Sequence, residues 1–569
     1  MKGRIDSRLR LLAVLVFLTA AIFAGKLYLV QIVSGKDLSE RADRQYVQPV
    51  VKGFDRGSIF FTDKDGGLTT AATLKSGFTA FINPELVNDP EALYQKLSGV
   101  IELDREDFLA KAGKKGDPYE EIAKRLPESS VSALRAFEIP GLGFYKEKWR
   151  FYPGNELAAQ TIGLVGYQGD ELAGRYGLER SYEQTLSRSS DDVYVNFFAE
   201  IFSNARNAFI KDRDLEGDIV TSIEPKLQTA LEKELDYMRS EWRSKQAGGI
   251  VLNPKTGEIY ALALSPDFDP NFFSGEQEPS VFSNSLVQSV FEMGSIIKPI
   301  TMAIGLDAGK VTPKSTYDDR GFLVLNDKRI ENYDGKGRGV VSMQEVLNQS
   351  LNTGAAHVAL KVGNTQFASK MFQFGLGDRT GIDLPNEVKG LVSNLKTGRD
   401  IETATASYGQ GIAFSPMATA RALSVLANGG RLITPHVVRS IKYRIGVSRV
   451  LPVDSGRQII SSGATEDITR MLVEVFDKAL AGGKYKLDRY SIAAKTGTAQ
   501  IANPGGGGYY DDRYLHSFFG YFPAYQPTFL VFLFHIEPQG VEYASQTLSK
   551  PFANLAKFII NYYELPPDR

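Results

Sequence analysis

The sequence predicts an α+β fold held at a membrane by one N-terminal helix. Three observations carry that expectation. Residues 11–33 form an apolar stretch behind a basic flank, and residues 34–216 mix short β-like runs with charged helices. Residues 217–569 show apolar strand patterns at both ends with helices between. A sheet closed from both ends of one segment leaves the intervening helices to cover its faces, which is an α+β arrangement.

The chain has 569 residues, which at about 100–200 residues per domain means several modules rather than one core. Hydrophobic residues make up 43 % and charged residues 23 %, an ordinary globular balance that excludes disordered, collagenous and multi-pass membrane classes. Lys plus Arg number 66 against 67 Asp plus Glu, so no basic excess points toward nucleic acid. The absence of cysteine excludes disulfides, thiolate metal sites and a cysteine nucleophile. The four histidines, His357, His436, His516 and His535, lie far apart without metal-ligand spacing. Neither a histidine-based metal site nor a Ser-His-Asp triad is expected.

Residues 1–10 read as a cytoplasmic tail and Leu11–Val33 as a transmembrane anchor. At about 1.5 Å per residue the stretch spans roughly 34 Å, enough for a hydrocarbon core of about 30 Å. Lys26, toward its outer end, can snorkel to the interface. Lys2, Arg4, Arg8 and Arg10 precede the stretch against Asp6 alone, whereas Lys36, Arg41 and Arg44 behind it are balanced by Asp37, Glu40 and Asp43. Positive charge stays inside, so the expected location is the cell membrane, single-pass, with a cytoplasmic N-terminus and the bulk extracytoplasmic. A cleaved signal peptide is disfavoured by the weak small-residue pattern at Thr19 and Ala21.

Residues 34–216 read as a non-catalytic pedestal. Gly53–Phe61 and Ser76–Ile82 have strand character, Asp89–Ala112 reads as one amphipathic helix, and Glu120–Leu126 and Glu128–Phe137 read as two short helices parted at Pro127. Ser187–Asp192 is a polar loop. Residues 217–569 open with a strand at Gly217–Ile223 and a helix at Lys226–Ser244, followed by a hairpin pattern around Asn253–Gly257. Phe518–Phe522 and Thr528–Ile536 are apolar strand runs, and Ser549–Tyr563 closes as a helix.

Three segments of this second region carry chemistry. In Gly294-Ser295-Ile296-Ile297-Lys298-Pro299, Pro299 belongs in the first turn of a helix, so Ser295 sits near a helix N-terminus, where negative charge is favoured. The i, i+3 spacing brings Lys298 to the same face. A serine hydroxyl needs a base, and a lysine serves only if its surroundings depress its pKa, as the apolar neighbours Ile296, Ile297, Ile300 and Met302 would. Ser350-Leu351-Asn352 offers a proton relay and an amide binder, or merely a helix cap. Lys495-Thr496-Gly497-Thr498 lies in the strand-like stretch Tyr490–Ile501. It offers a cation and two hydroxyls to a carboxylate, with Gly497 letting a substrate backbone approach. Decoys exist at Ser393–Lys396 and Lys396-Thr397-Gly398, in a polar stretch unlike a buried strand.

The ordered set of nucleophile with lysine, S-x-N and K-T-G-T resembles penicillin-binding proteins and class A β-lactamases. The chain is similar to class B penicillin-binding proteins, monofunctional peptidoglycan D,D-transpeptidases, nearly throughout. Arg56-Gly57-Ser58-Ile59, Tyr152-Pro153, Gly177-Leu178-Glu179, Phe374–Gly377, Thr380–Pro385 and Ser407-Tyr408-Gly409-Gln410-Gly411 with Pro416 extend the match. It departs from the family at Phe60–Gly66, where a D-R-N-G-like turn is usual. The run from Lys495 through Gly505–Tyr509 to Pro523 is most similar to the cell-division (FtsI-type) branch.

The resemblance implies an antiparallel sheet flanked by helices, like a serine β-lactamase, behind a pedestal of the penicillin-binding protein dimerisation type. It implies Ser295 as nucleophile, Lys298 as base, Ser350 as proton relay and Asn352 as holder of the peptide amide. Lys495, Thr496 and Thr498 would bind the terminal carboxylate, with Gly497 beside them, and the backbone N–H groups of Ser295 and Thr498 would form the oxyanion hole. Implied partners are peptidoglycan stem peptides, β-lactam antibiotics, and a SEDS-family membrane glycosyltransferase with divisome (or elongasome) proteins. No metal or organic cofactor is implied. Elongation-type transpeptidase, D,D-carboxypeptidase or β-lactamase-like hydrolase, and penicillin-sensing binding protein are the alternatives. A deacylation motif E-x-x-L-N is missing, since Glu345-Val346-Leu347-Asn348 has the wrong spacing.

Overall fold

The computed structural model describes residues 54–169, 171–188, 216–444, 446–503, 505 and 507–569. The expected tail, the anchor Leu11–Val33 and most of the loop Ser187–Asp192 lie outside the described residues. Among the described residues no helix is long and apolar enough to cross a membrane. The chain divides into two compact units.

The smaller unit is built on Lys75–Trp149. The second half of the strand Leu68–Ile82 pairs antiparallel with Glu120–Leu126 (Phe78 opposite Leu126), and Leu142–Phe151 pairs with the same strand. Glu120–Leu126 is therefore a strand, not the expected helix. Its charges are compatible with a helix, but Ile122, Ala123 and Leu126 complete a sheet face over Leu97, Phe108 and Val131, and that packing overrides local preference. The expected helix Asp89–Ala112 is two helices, Pro90–Ser98 and Arg105–Ala112. Gly99 ends the first, and Asp104 caps the second by accepting from the Asp107 N–H at 2.8 Å.

The larger unit comprises Arg56–Leu74, Arg150–Ser189 and the described residues from 216 onward. Among its elements, in chain order, are α1 (Pro225–Glu241), β1 (Gln246–Leu252), β2 (Ile259–Ser265), α2 (Lys298–Asp307), α3 (Asn352–Val362), α4 (Ser462–Glu474), β3 (Ala493–Ala502), β4 (Tyr509–Phe522), β5 (Phe529–Ile536), α5 (Ala544–Thr547) and α6 (Ser549–Tyr562). One antiparallel sheet runs β3-β4-β5-β1-β2. The period of two along β5 sends Leu530, Phe532 and Phe534 to one core and Phe529, Val531 and Leu533 to another. The first core packs under α2, α3 and α4, and the second under α1 and α6. Buried on both faces, β5 reads as an unbroken apolar run.

Gly217–Thr221 is a strand, but it lies outside this sheet. It pairs in parallel with Ile59–Thr62 and antiparallel with Val438–Tyr443. Gly57 permits the approach, since a Cβ there would lie 2.1 Å from the Gly217 carbonyl oxygen. The departing stretch Phe60–Gly66 makes an ordinary hairpin turn, its Asp63 carboxylate accepting from the N–H groups of Asp65 and Gly67 at 2.9 and 2.7 Å.

Three short motifs converge in this unit on one buried ion cluster. The Glu179 carboxylate accepts from Arg56 Nε and Arg150 Nε, each at 2.6 Å. The Tyr152 hydroxyl lies 3.4 Å from it, and Arg56 also pairs with Glu183 at 2.7 Å. Arg56 and Glu179 are almost wholly buried, so each charge depends on its partners. Glu179→Ala, which strips both guanidinium groups of their shared acceptor, is expected to destabilise the fold by about 3–5 kcal/mol. A denaturant unfolding curve indistinguishable from that of the unsubstituted protein would contradict this.

Candidate active site

Ser295 lies in a 3-10 turn, Gly294–Ile297, that runs directly into α2, with Pro299 in its first turn where no N–H is required. The turn is clamped from two sides. Gly294 has φ +62°, and a Cβ there would lie 2.5 Å from the Thr498 carbonyl oxygen. Gly409 packs on its other side, where a Cβ would lie 2.3 Å from the Gly294 carbonyl oxygen. The Thr301 hydroxyl donates to the Ser407 carbonyl at 2.7 Å, so the segment Ser407–Gly411 buttresses the nucleophile turn.

Gly497 faces this turn. A Cβ would lie 2.7 Å from the Met293 carbonyl oxygen and 2.5 Å from Ser517 Oγ. The close approach seen at Gly497 is that of the turn's own backbone. The reason is strand alternation: Lys495, Gly497 and Ala499 are buried while Thr496, Thr498 and Gln500 are partly exposed.

The three motifs meet at a cavity of about 650 Å³ lined by Ser295, Ser350, Asn352, Lys495, Thr496 and Thr498. Lys298 Nζ donates to the Ser350 carbonyl at 2.5 Å and its hydroxyl oxygen at 3.2 Å. Lys495 Nζ reaches the same hydroxyl oxygen at 3.0 Å and the Thr496 carbonyl at 3.1 Å. Ser350 thus stands between two amines, in a left-handed conformation (φ +54°) that a serine holds only under constraint. Among the described residues the Ser295 hydroxyl makes no hydrogen bond, so the resting Lys298 amine is engaged by Ser350. Neither Ser350 nor Asn352 caps a helix. The cap position of α3 is Leu351, and Asn352 Nδ2 donates to the Glu331 carbonyl at 2.9 Å.

Lys298 is 1 % exposed and Lys495 3 % exposed. Burial, with the nearby Lys495 charge, holds the Lys298 amine well below its ordinary value. Burial pulls Lys495 down to about 8. The decoy Lys396, Thr397 and Gly398 are all exposed. Sequence reasoning missed Gln500 and Tyr543, Arg329 and Glu331 of the hairpin made by Phe322–Leu325 and Lys328–Glu331, and Tyr333 just after it, all on the cavity wall. Gln500 continues the alternation of Thr496 and Thr498 and was within reach of the pattern. The others come from distant segments and left no local signal. Among the described residues no group of His, Asp and Glu side chains gathers to hold a metal ion.

The family model of the penicillin binding protein transpeptidase domain matches residues 247–557. That of the penicillin-binding protein dimerisation domain matches residues 55–197. The chain belongs to the penicillin-binding protein transpeptidase family. Stage V sporulation protein D of Bacillus subtilis is 28 % identical over 561 residues, 96 % of this chain and 85 % of that protein. Peptidoglycan D,D-transpeptidase FtsI of Escherichia coli K12 is 24 % identical, covering 99 % of this chain and 93 % of that protein. Among solved structures, penicillin binding protein 3 of Mycobacterium tuberculosis complexed with aztreonam shares the fold, with a TM-score of 0.69 at 21 % identity, covering 91 % of this chain and 98 % of that one.

The lysine environment has a pH signature. In the unfolded chain a lysine takes up its proton near 10.4, whereas folded Lys495 does so only at about 8. Between these values the unfolded state binds more protons, so stability falls as pH is lowered through that window and levels off below it. In Lys495→Met the slope of unfolding free energy against pH should be shallower there. Equal slopes would mean that Lys495 keeps its charge at no cost.

Proposed function

We propose that this chain is a serine D,D-transpeptidase that cross-links peptidoglycan stem peptides in septal wall synthesis, anchored by Leu11–Val33 with residues 34–216 as pedestal and 217–569 as catalytic domain. The single observation that carries the reading is the meeting of two buried, carboxylate-free amines at Ser350 beside an unengaged Ser295 hydroxyl.

In this reading Ser295 Oγ attacks the carbonyl of the penultimate D-alanine. Neutral Lys298 takes the hydroxyl proton, and the backbone N–H groups of Ser295 and Thr498 hold the developing oxyanion. Collapse of the tetrahedral species breaks the peptide bond, with Ser350 passing the proton to the departing amine of the terminal D-alanine. The amine of a neighbouring stem peptide then attacks the ester, the new amide forms, and Ser295 recovers its proton. Asn352 holds the donor peptide's amide through its side-chain carbonyl. Lys495, Thr496 and Thr498 receive the terminal carboxylate. A bound carboxylate stabilises the positive charge that burial disfavours on Lys495, so donor binding and lysine protonation reinforce each other.

β-Lactams carry a similar carboxylate and a strained carbonyl, and are read as acylating the same serine. The bulk of the chain is assigned to the outer face of the cell membrane. Its partner is assigned as a SEDS-family glycosyltransferase of the divisome, a reading supported by relatives named FtsI that align along nearly the whole chain.

Ser295→Ala is expected to abolish covalent labelling by a fluorescent penicillin, and persistent labelling would place the nucleophile elsewhere. In the unsubstituted protein the label should persist through a chase, whereas rapid release would favour a hydrolase. Gly497→Ala, which pushes the nucleophile turn away from β3, should slow labelling by about 100-fold, the typical effect of misplacing a reacting group by about 1 Å. Labelling at the original rate would show that the turn and strand can separate without consequence.

A further inference from the structure

Two of the histidines, which the proposed chemistry does not use, lie directly behind the Thr498 strand. His516 on β4 stands opposite Thr498 on β3 and opposite His535 on β5. Both rings are fully buried, with centroids 5.2 Å apart. The two residues are thus a cross-strand pair in the β4–β5 hairpin. Thr547 Oγ1 sits between them, 2.9 Å from His516 Nδ1 and 2.9 Å from His535 Nε2. At the ends of the chain, His516 Nε2 is 3.0 Å from the Glu542 carbonyl and His535 Nδ1 is 2.7 Å from the Ser244 hydroxyl.

The partners determine where every proton lies. A carbonyl only accepts, so His516 Nε2 carries a proton. Burial holds His516 down to about 4 and His535 well below its ordinary value, so both rings are neutral near pH 7. His516 Nδ1 must then accept, and the Thr547 hydroxyl donates to it. The Ala544 carbonyl also lies 3.3 Å from Thr547 Oγ1, but the shorter contact to His516 Nδ1, which has no other donor, takes the single Thr547 proton, so His535 Nε2–H donates to Thr547 Oγ1. His535 Nδ1 is left to accept from the Ser244 hydroxyl. The result is a one-way chain from Ser244 through His535, Thr547 and His516 to the Glu542 carbonyl.

Its far end holds a turn that borders the cavity. Glu542, Tyr543, Ala544 and Ser545 all line it, and the Ala544 N–H donates to Thr498 Oγ1 at 3.1 Å. With a lone pair occupied from behind, the Thr498 hydroxyl keeps its own proton for the cavity. We propose that Ser244, His535, Thr547 and His516 form a positioning network that sets the 542–545 turn, so that the Thr498 hydroxyl donates to an anionic group of the substrate. The network rests on the transpeptidase reading only for the identity of that anion, the terminal carboxylate of the donor peptide.

Two measurements test this on the full chain. Nitrogen-15 spectra of histidine-labelled protein should show His516 and His535 both as Nε2–H tautomers, the four histidines being assigned by single His→Gln variants. An Nδ1–H tautomer at either ring overturns the network. In acylation kinetics with benzylpenicillin, which bears the carboxylate, Thr547→Val should weaken binding by about tenfold, the loss of one hydrogen bond to a charged group. The first-order acylation step should be little changed, and Thr547→Ser should restore binding. Thr498→Val should lose as much, and the double variant Thr498→Val/Thr547→Val no more than either. Unweakened binding in Thr547→Val, or losses that multiply in the double variant, would also overturn the proposal. Should Thr547→Val not fold, the tautomers and the milder Ser244→Ala variant, expected to weaken binding in the same direction, carry the test. If the unsubstituted protein takes no penicillin at all, the transpeptidase reading fails, while the tautomers still decide the network.

Discussion

Two buried amines, with no carboxylate among the described residues to balance them, meet at one serine hydroxyl, and the rest of the site is arranged around that fact. Two like charges so close and both shielded from water would repel strongly, so at most one of the two amines is favoured in its protonated form. Lys298, the more depressed of the two, is left as the base. Lys495 is left as the charged group that an incoming carboxylate stabilises. The difference in role arises from surroundings, since the side chains are chemically identical.

Holding the amines there requires backbone segments closer together than side chains allow. Gly294, Gly409 and Gly497 each stand where a Cβ would fall within 2.7 Å of a backbone oxygen. Together they press the Ser295 turn between the segment 407–411 and β3. Ser350 adds a left-handed φ of +54°, a conformation that turns its carbonyl and hydroxyl toward the same amine. Such strain persists because the two cores on either side of the sheet supply far more favourable burial than these few residues consume.

What the sequence made legible was local. A proline in the first turn of α2, an alternation along β3 and an unbroken apolar run at β5 are short-range consequences of burial, and each could be read in place. Three kinds of feature were not. Glu120–Leu126 carries helix-compatible charges, and only its pairing with Phe78–Ile82 makes it a strand. Gly217–Thr221 has a clear strand pattern, but pattern does not name a partner, and that partner, Ile59–Thr62, lies more than 150 residues away. The Arg56–Glu179 pairing spans 123 residues, and the His516–His535 pair depends on the register of the β4–β5 hairpin. Spacing in the sequence is silent about them.

The same reasoning explains why short motifs became informative here. S-x-x-K occurs twice in the chain and K-T-G three times, at Lys255, Lys396 and Lys495, so the letters alone do not discriminate. The functional copies differ from the decoys in the demand that their surroundings make. Lys298 and Lys495 are buried and held below their ordinary basicity, whereas Lys396 is exposed. A lysine that is free to meet water keeps its proton and cannot serve as a base. Desolvation therefore turns a common tripeptide into a chemical site. Because desolvation is a property of the fold, the apolar flanks Ile296, Ile297 and Ile300 carried more information than the motif residues they surround.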